Sequence, residues 1–336
     1  MSMEMKYILP QKIHRHARGG LVLLFILLCA QISAQQTQPQ FALIPENPRP
    51  GEPVTIALAD DSITAGSGSA DIKAVLVTGQ GRLSRTGFFD FPGAEGEPRF
   101  KAAILPVPST ARPGPASIRI ETAFGGSTAL IAELPLTIAL RDFVSEEIEL
   151  DQANTDIRTV PDPQKTAEAE QLWAILNRAG ADIYARDAFT PPVTSTRRTS
   201  FFGDRRVFKY TGGKTDTAIH AGIDYGVPRG TAVTACASGK VVLARFRIVT
   251  GNSVIIEHLP GVYSLYYHMD KIDVKEGELV RTGALLGQSG ATGLATGPHL
   301  HWEIRVAGEN TDPDAFVARP ILDKDAILTK IGVSVP

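Results

Sequence analysis

The 336-residue sequence predicts a mainly β protein: an N-terminal immunoglobulin-like β-sandwich, a helical connector and a C-terminal glycine-rich antiparallel β domain. Three observations predict it. Short apolar segments recur between Pro and Gly turns through residues 41–140. Stretches such as Ile118-Arg119-Ile120-Glu121 alternate with the period of two expected of half-buried strands. Beyond residue 200 the pattern is again strand and turn, with two glycine-rich stretches that echo each other. The length favours two domains over one, and 43% hydrophobic with 21% charged residues describes a globular chain.

In chain order, residues 1–34 have the layout of a signal peptide. Lys6, Lys12, Arg15 and Arg18 precede the apolar run Leu21–Ala30, and small residues at Ser33 and Ala34 suit a cleavage site. The run is well short of the roughly 20 residues that span a bilayer. Export to the periplasm or the extracellular space is therefore expected, with tethering to the membrane if the segment is not cleaved. Cys29 is preceded by Leu28, which does not fit a lipoprotein site. Cleavage after Ala34 leaves Cys236 as the single cysteine, so no internal disulfide is possible. Cleavage also removes four Lys/Arg and one Glu, giving 30 − 35 = −5, which offers no electrostatic case for nucleic acid.

Residues 35–40 read as a polar tether. The sandwich strands are expected at Val54–Leu58, Ile72–Val77, Phe100–Leu105, Ser117–Thr122 and Thr128–Ile138. This region holds no histidine or cysteine and reads as a spacer or as a module for a wall or protein partner. The connector, 141–199, holds a helix with Asp162 as N-cap, Pro163 as first residue and Gly180 as stop. Its apolar face is Leu172, Trp173, Ile175, Leu176 and Ala179, which predicts docking on a neighbouring domain. Gly212-Gly213-Lys214-Thr215 resembles a phosphate loop, but Phe208 stands where the earlier glycine is needed, so that reading is rejected. In the C-terminal domain, 200–320, Val227–Val233 leading into Ala237–Val242 echoes Val274–Val280 leading into Thr282–Gly287, a weak internal repeat.

Five of the seven histidines fall between residues 220 and 301. In Gly297-Pro298-His299-Leu300-His301-Trp302-Glu303, His299 and His301 share one strand face, about 6–7 Å apart, with Leu300 and Trp302 on the other. Upstream, His220-Ala221-Gly222-Ile223-Asp224 supplies an imidazole and a carboxylate, and the Ala-Gly between them permits close backbone approach. His220, Asp224 and His301 make a two-imidazole, one-carboxylate set suited to zinc, with a position left open for water. His299 and His268, the latter ending the aromatic strand Tyr263–Met269, remain for proton transfer and oxyanion stabilisation. Residue types do not divide those roles between them. His258 reads as structural.

His-x3-Asp, Tyr-x-His-Met and Gly-Pro-His-Leu-His-Trp-Glu, in that order, resemble the signature of the lysostaphin/LytM-type zinc metallopeptidases, whose fold contains duplicated strand-turn units. The resemblance covers roughly Ser200–Asp314. It implies that His220, Asp224 and His301 bind Zn2+, that His268 and His299 are the catalytic pair, and that peptidoglycan peptides are the substrate. All five positions match, unlike in members that lost the metal and became amidase activators. The leading expectation is an exported zinc metalloendopeptidase acting on cell-wall peptidoglycan. The alternatives are a non-catalytic wall-binding or amidase-regulating module with a retained metal site, or a protease acting on a non-wall protein. The layout also suggests that residues 163–179 and 190–214 lie across the cleft and keep the enzyme latent.

Overall fold

The structure, a computed structural model, describes residues 41–59, 72–91, 100–124 and 127–331. The export segment and the tether fall on residues 1–40, outside the described residues. Among the described residues no helix is long and apolar enough to cross a membrane.

The first part holds β1 (Phe41–Ile44), β2 (Pro53–Ala59), β3 (Ile72–Thr78), β4 (Gly81–Gly87), β5 (Phe89–Phe91), β6 (Phe100–Pro106), β7 (Gly114–Phe124) and β8 (Ser127–Ile138). They form two four-stranded antiparallel sheets, β1-β2-β6-β5 and β4-β3-β7-β8. Val54, Ile56, Leu76, Leu105, Ile118 and Ile120 are buried in the core between them. Each expected strand lies within an observed one. The additional strands are short or weakly patterned: β5 has only three residues, and β4 reads Gly-Arg-Leu-Ser-Arg-Thr-Gly and buries none of its residues.

The connector continues with β9 (Ser145–Glu149), α1 (Gln152–Thr159) and α2 (Pro163–Leu176). Asp162 caps α2, its carboxylate accepting from the Gln164 amide at 2.7 Å. The helix ends at Asn177, short of Gly180, because the Asn177 side chain closes the last turn on the Trp173 carbonyl at 2.8 Å. Gly180 serves close approach instead: its amide donates to Glu257 at 2.9 Å, and a Cβ there would lie 2.7 Å from that carboxylate. Leu172, Ile175 and Leu176 dock on Leu243, Ile255, Tyr263, Leu265 and Tyr267. Trp173 faces away and is 61% exposed.

The last part holds β10 (Arg198–Ser200), β11 (Arg205–Lys209), β12 (Thr215–Ile219), β13 (Ile223–Tyr225), β14 (Ala232–Thr234), β15 (Gly239–Arg247) and β16 (Gly251–Leu259). Then follow β17 (Val262–Ile272), β18 (Leu279–Val280), β19 (Leu285–Ser289), β20 (Leu300–Val306), β21 (Glu309–Thr311), α3 (Pro313–Val317) and α4 (Lys324–Lys330). The spine of its main sheet runs β10-β13-β20-β17-β16-β15-β18. The echoing stretches interlock: β14 of the first pairs with β19 of the second, and β15 of the first with β18 of the second. A smaller sheet, β12-β11-β9, recruits the connector strand in parallel with β11. The Gly212-Gly213 pair is simply the turn of the β11–β12 hairpin, Gly213 taking a φ of 75°.

The two parts share one hydrophobic core. Ala57, Phe100 and Ile104 of the sandwich cluster with Trp302, Phe316 and Ile331. Thr55 Oγ1 donates to the Ile321 carbonyl at 2.6 Å. Arg141 pairs with Asp312 at 2.7 Å and lies over the Phe143 and Phe202 rings. A continuous core couples the stabilities of its parts. Calorimetry is therefore expected to give one cooperative transition, and two resolved transitions would contradict the coupling.

Candidate metal centre

The ladder between β13 and β20 builds the centre by setting Asp224 directly opposite His301. Alternation along β20 sends Leu300 and Trp302 into the core, fully buried, and turns His301 to the opposite face. His220 follows β12, held by backbone hydrogen bonds to Gly203 and Asp204. The three side chains meet below the surface, all less than 9% exposed. His220 Nε2 lies 3.0 Å from His301 Nδ1 and 3.2 Å from Asp224 Oδ1, and the last two atoms are 2.7 Å apart.

Hydrogen bonds on the far side of each ring fix the tautomers. His220 Nδ1 donates to the Phe201 carbonyl at 2.7 Å, and His301 Nε2 donates to Glu303 Oε1 at 2.9 Å. His220 Nε2, His301 Nδ1 and Asp224 Oδ1 therefore converge as lone pairs. A single proton on His301 Nδ1 can bridge to Asp224 but leaves the third acceptor facing it. A divalent cation held by His220, Asp224 and His301 would satisfy all three, and two imidazoles with one carboxylate suit zinc. The carboxylates make this a place for positive charge, which a proton on His301 Nδ1 supplies where no metal is held. Burial disfavours a cationic His301, yet the Asp224 and Glu303 carboxylates outweigh it and raise its pKa to about 9. Burial likewise opposes ionisation of Asp224, while His301 and His220 hold it well below the usual carboxylate range.

His268 and His299 flank the centre, their rings 4.7 Å apart. At His268 strand β17 changes partner: Tyr267 pairs with His301, while Met269 pairs with Ser289 of β19. The switch gives His268 a φ of 63°, which redirects its side chain relative to its neighbours on the strand. Its Nδ1 donates to the Thr292 carbonyl at 2.8 Å. His299 stands just ahead of β20, its Nδ1 donating to the Gly297 carbonyl at 2.8 Å and its Nε2 3.8 Å from Asp224 Oδ1. Each ring thus keeps Nε2 as a proton acceptor. Burial, then the neighbouring His299 and His301, push the His268 pKa down to about 3, and burial lowers that of His299.

His258 stands apart from this group. Fully buried, it bonds the Ser238 carbonyl and Ser264 Oγ at 2.8 and 2.7 Å, and burial lowers its pKa to about 4. Sequence reasoning missed three residues at the centre. Glu303 was recoverable, since it shares the His301 face two residues on. Arg206 and Glu146 carried no signal. A cleft of about 470 Å³ opens beside the centre, lined by His299, Pro298, Thr199, Arg197, Arg206 and Glu146 among others.

Residues 218–313 match peptidase family M23. The chain is 43% identical over 95 residues to the DD-carboxypeptidase/endopeptidase Mpg of Neisseria meningitidis serogroup B, covering 28% of this chain and 22% of Mpg. It is 40% identical over 114 residues to the peptidoglycan DD-endopeptidase ShyB of Vibrio cholerae serotype O1, covering 34% of this chain and 26% of ShyB. The chain therefore spans about a quarter of the length of these curated relatives. A crystal structure from Pseudomonas aeruginosa assigned to peptidase M23 covers 80% of this chain and 94% of its own, at 25% identity and a TM-score of 0.54. That span reaches well beyond residues 218–313.

Proposed function

We propose that this chain, whose residues 218–313 match peptidase family M23, is an exported zinc endopeptidase acting in the periplasm or outside the cell. It hydrolyses peptide bonds in the stem peptides or cross-links of cell-wall peptidoglycan. One observation carries the reading: three lone pairs converge on a common point, and two further imidazoles beside it hold Nε2 free to accept a proton. Zinc held by His220, Asp224 and His301 would supply Lewis acidity and make hydroxide available near neutral pH.

The protein's own groups do the rest. Glu303 fixes the His301 tautomer and keeps Nδ1 directed at Asp224 and His220. His268 and His299, their Nδ1–H groups committed to backbone carbonyls, are suited to take the proton of the attacking water at Nε2. The imidazolium so formed stabilises the developing oxyanion and returns the proton to the leaving amine. A pure binding module has no use for two imidazoles oriented in this way. Peptidoglycan as substrate is supported by the similarity to ShyB, a peptidoglycan DD-endopeptidase, and to Mpg, a DD-carboxypeptidase/endopeptidase.

The test is digestion of purified peptidoglycan, with released muropeptides identified by mass spectrometry. Specific peptide cleavage is expected from the zinc-loaded protein, and none after chelation or from His301→Ala. Zinc uptake without any cleavage would move the assignment to a wall-binding module or to a protease with a protein substrate.

A further inference from the structure

Arg206 lies on β11, a strand that bears none of the histidines, yet it reaches the metal centre. Its Nη2 donates to Asp224 Oδ2 at 2.6 Å and its Nε to Glu146 Oε1 at 2.6 Å. Glu146 sits on the connector strand β9, in register beside Arg206 across the parallel pairing. Ser200 Oγ donates to the same Glu146 oxygen at 2.7 Å. One guanidinium therefore joins the connector to a carboxylate of the metal set. The Arg206 side chain is only 16% exposed, so solvent screens these pairs weakly.

The contact constrains how Asp224 can bind. Its Oδ1 faces His220 and His301, while its Oδ2 is engaged by Arg206. Turning the carboxylate toward a two-oxygen geometry would break a short charge-assisted hydrogen bond. Asp224 is thereby restricted to one donor oxygen, which preserves the open position that a hydrolytic site needs. A guanidinium meets two carboxylates at once through its fork, whereas the point charge of lysine does not. Glu146 holds the fork from the other side, so Arg206 cannot follow Asp224 if the latter turns.

We propose that Arg206, braced by Glu146, is a positioning residue that fixes the single metal-facing oxygen of Asp224, and that metal retention therefore depends on the connector strand. This rests on the metal-site reading above. It gives the connector a supporting role at the site, so detaching residues ahead of Thr199 would weaken the centre rather than release it.

The experiment titrates the metal-free full chain with zinc against a chromophoric chelator, for wild type, Arg206→Ala, Arg206→Lys, Glu146→Ala and the double alanine variant. Thermal unfolding of each metal-free protein serves as the control for folding. Arg206→Ala is expected to bind zinc about 10- to 100-fold more weakly, the usual cost of removing a partner of a ligand. Arg206→Lys should fall between it and wild type. The double variant should be no weaker than Arg206→Ala alone, because Glu146 acts through Arg206. Folded Arg206→Ala that binds zinc within twofold of wild type, or losses that add in the double variant, would overturn the proposal. Wild type binding zinc no better than His301→Ala would overturn the metal-site reading and this one together.

Discussion

His268→Asn is expected to lower kcat on peptidoglycan cross-link peptides by about 10²- to 10⁴-fold, the range for loss of a general acid–base group, while zinc content stays at the wild-type level. The expectation follows from placement. His268 donates Nδ1–H to Thr292 and points the other nitrogen at the site, yet it is not one of the three converging donors. Asparagine is the better probe because the φ of 63° at this position is one that Asn tolerates and Ala resists. His268→Ala should therefore show the same kinetic defect with a lower Tm. The pH dependence has a definite sign. With burial pushing its pKa down to about 3, His268 is neutral at every pH above about 4, so its own titration lies below the assay range. The acid limb of the wild-type profile should not shift in His268→Asn. A zinc-loaded His268→Asn with kcat within tenfold of wild type would make His268 a structural residue.

The legible part of this protein is the part written in local pattern. Alternation marks the sandwich strands, and the spacing of His299, Leu300, His301 and Trp302 gives the two faces of β20. The echo between residues 227–242 and 274–287 was visible as similarity, but its meaning was not. Only the pairing of β14 with β19 and β15 with β18 shows the two copies exchanging strands. Register between distant strands leaves no trace in a single sequence, which is why Arg206 and Glu146 were missed. They meet because β9 joins β11 in parallel across about sixty intervening residues. Trp173 was misplaced for a related reason: apolar residues crowd one stretch of α2, and only the neighbour's surface decides which of them it covers. The shared core between sandwich and C-terminal part was likewise invisible, since alanines and phenylalanines on the outer sandwich face look like ordinary strand residues.

Gly222→Ala is expected to cost the protein both its metal and much of its stability. The reason is steric rather than conformational, as Gly222 has no left-handed φ to defend. A Cβ built there would lie 2.1 Å from the Trp302 carbonyl oxygen and 2.8 Å from its carbon. Both are backbone atoms of a strand held in the ladder on either side, by β13 and by β17, so neither can give way cheaply. The relief available is for β13 to move off β20, which breaks the pairing of Ile223 with Trp302 and of Asp224 with His301. That pairing is what brings the carboxylate to the imidazole. Overpacking of this kind costs about 3 kcal/mol at the upper end of its usual range, a fall in Tm of roughly 5–10 °C for a chain of this size. Zinc content should drop with it, since a carboxylate displaced by an ångström no longer closes the donor set. Gly212→Ala is the matched control. It lies in the β11–β12 turn with nothing within 4 Å of its added methyl, and it should leave Tm and zinc content unchanged. Gly222→Ala that retains wild-type zinc and Tm would show that the β13–β20 ladder does not set the geometry of the centre.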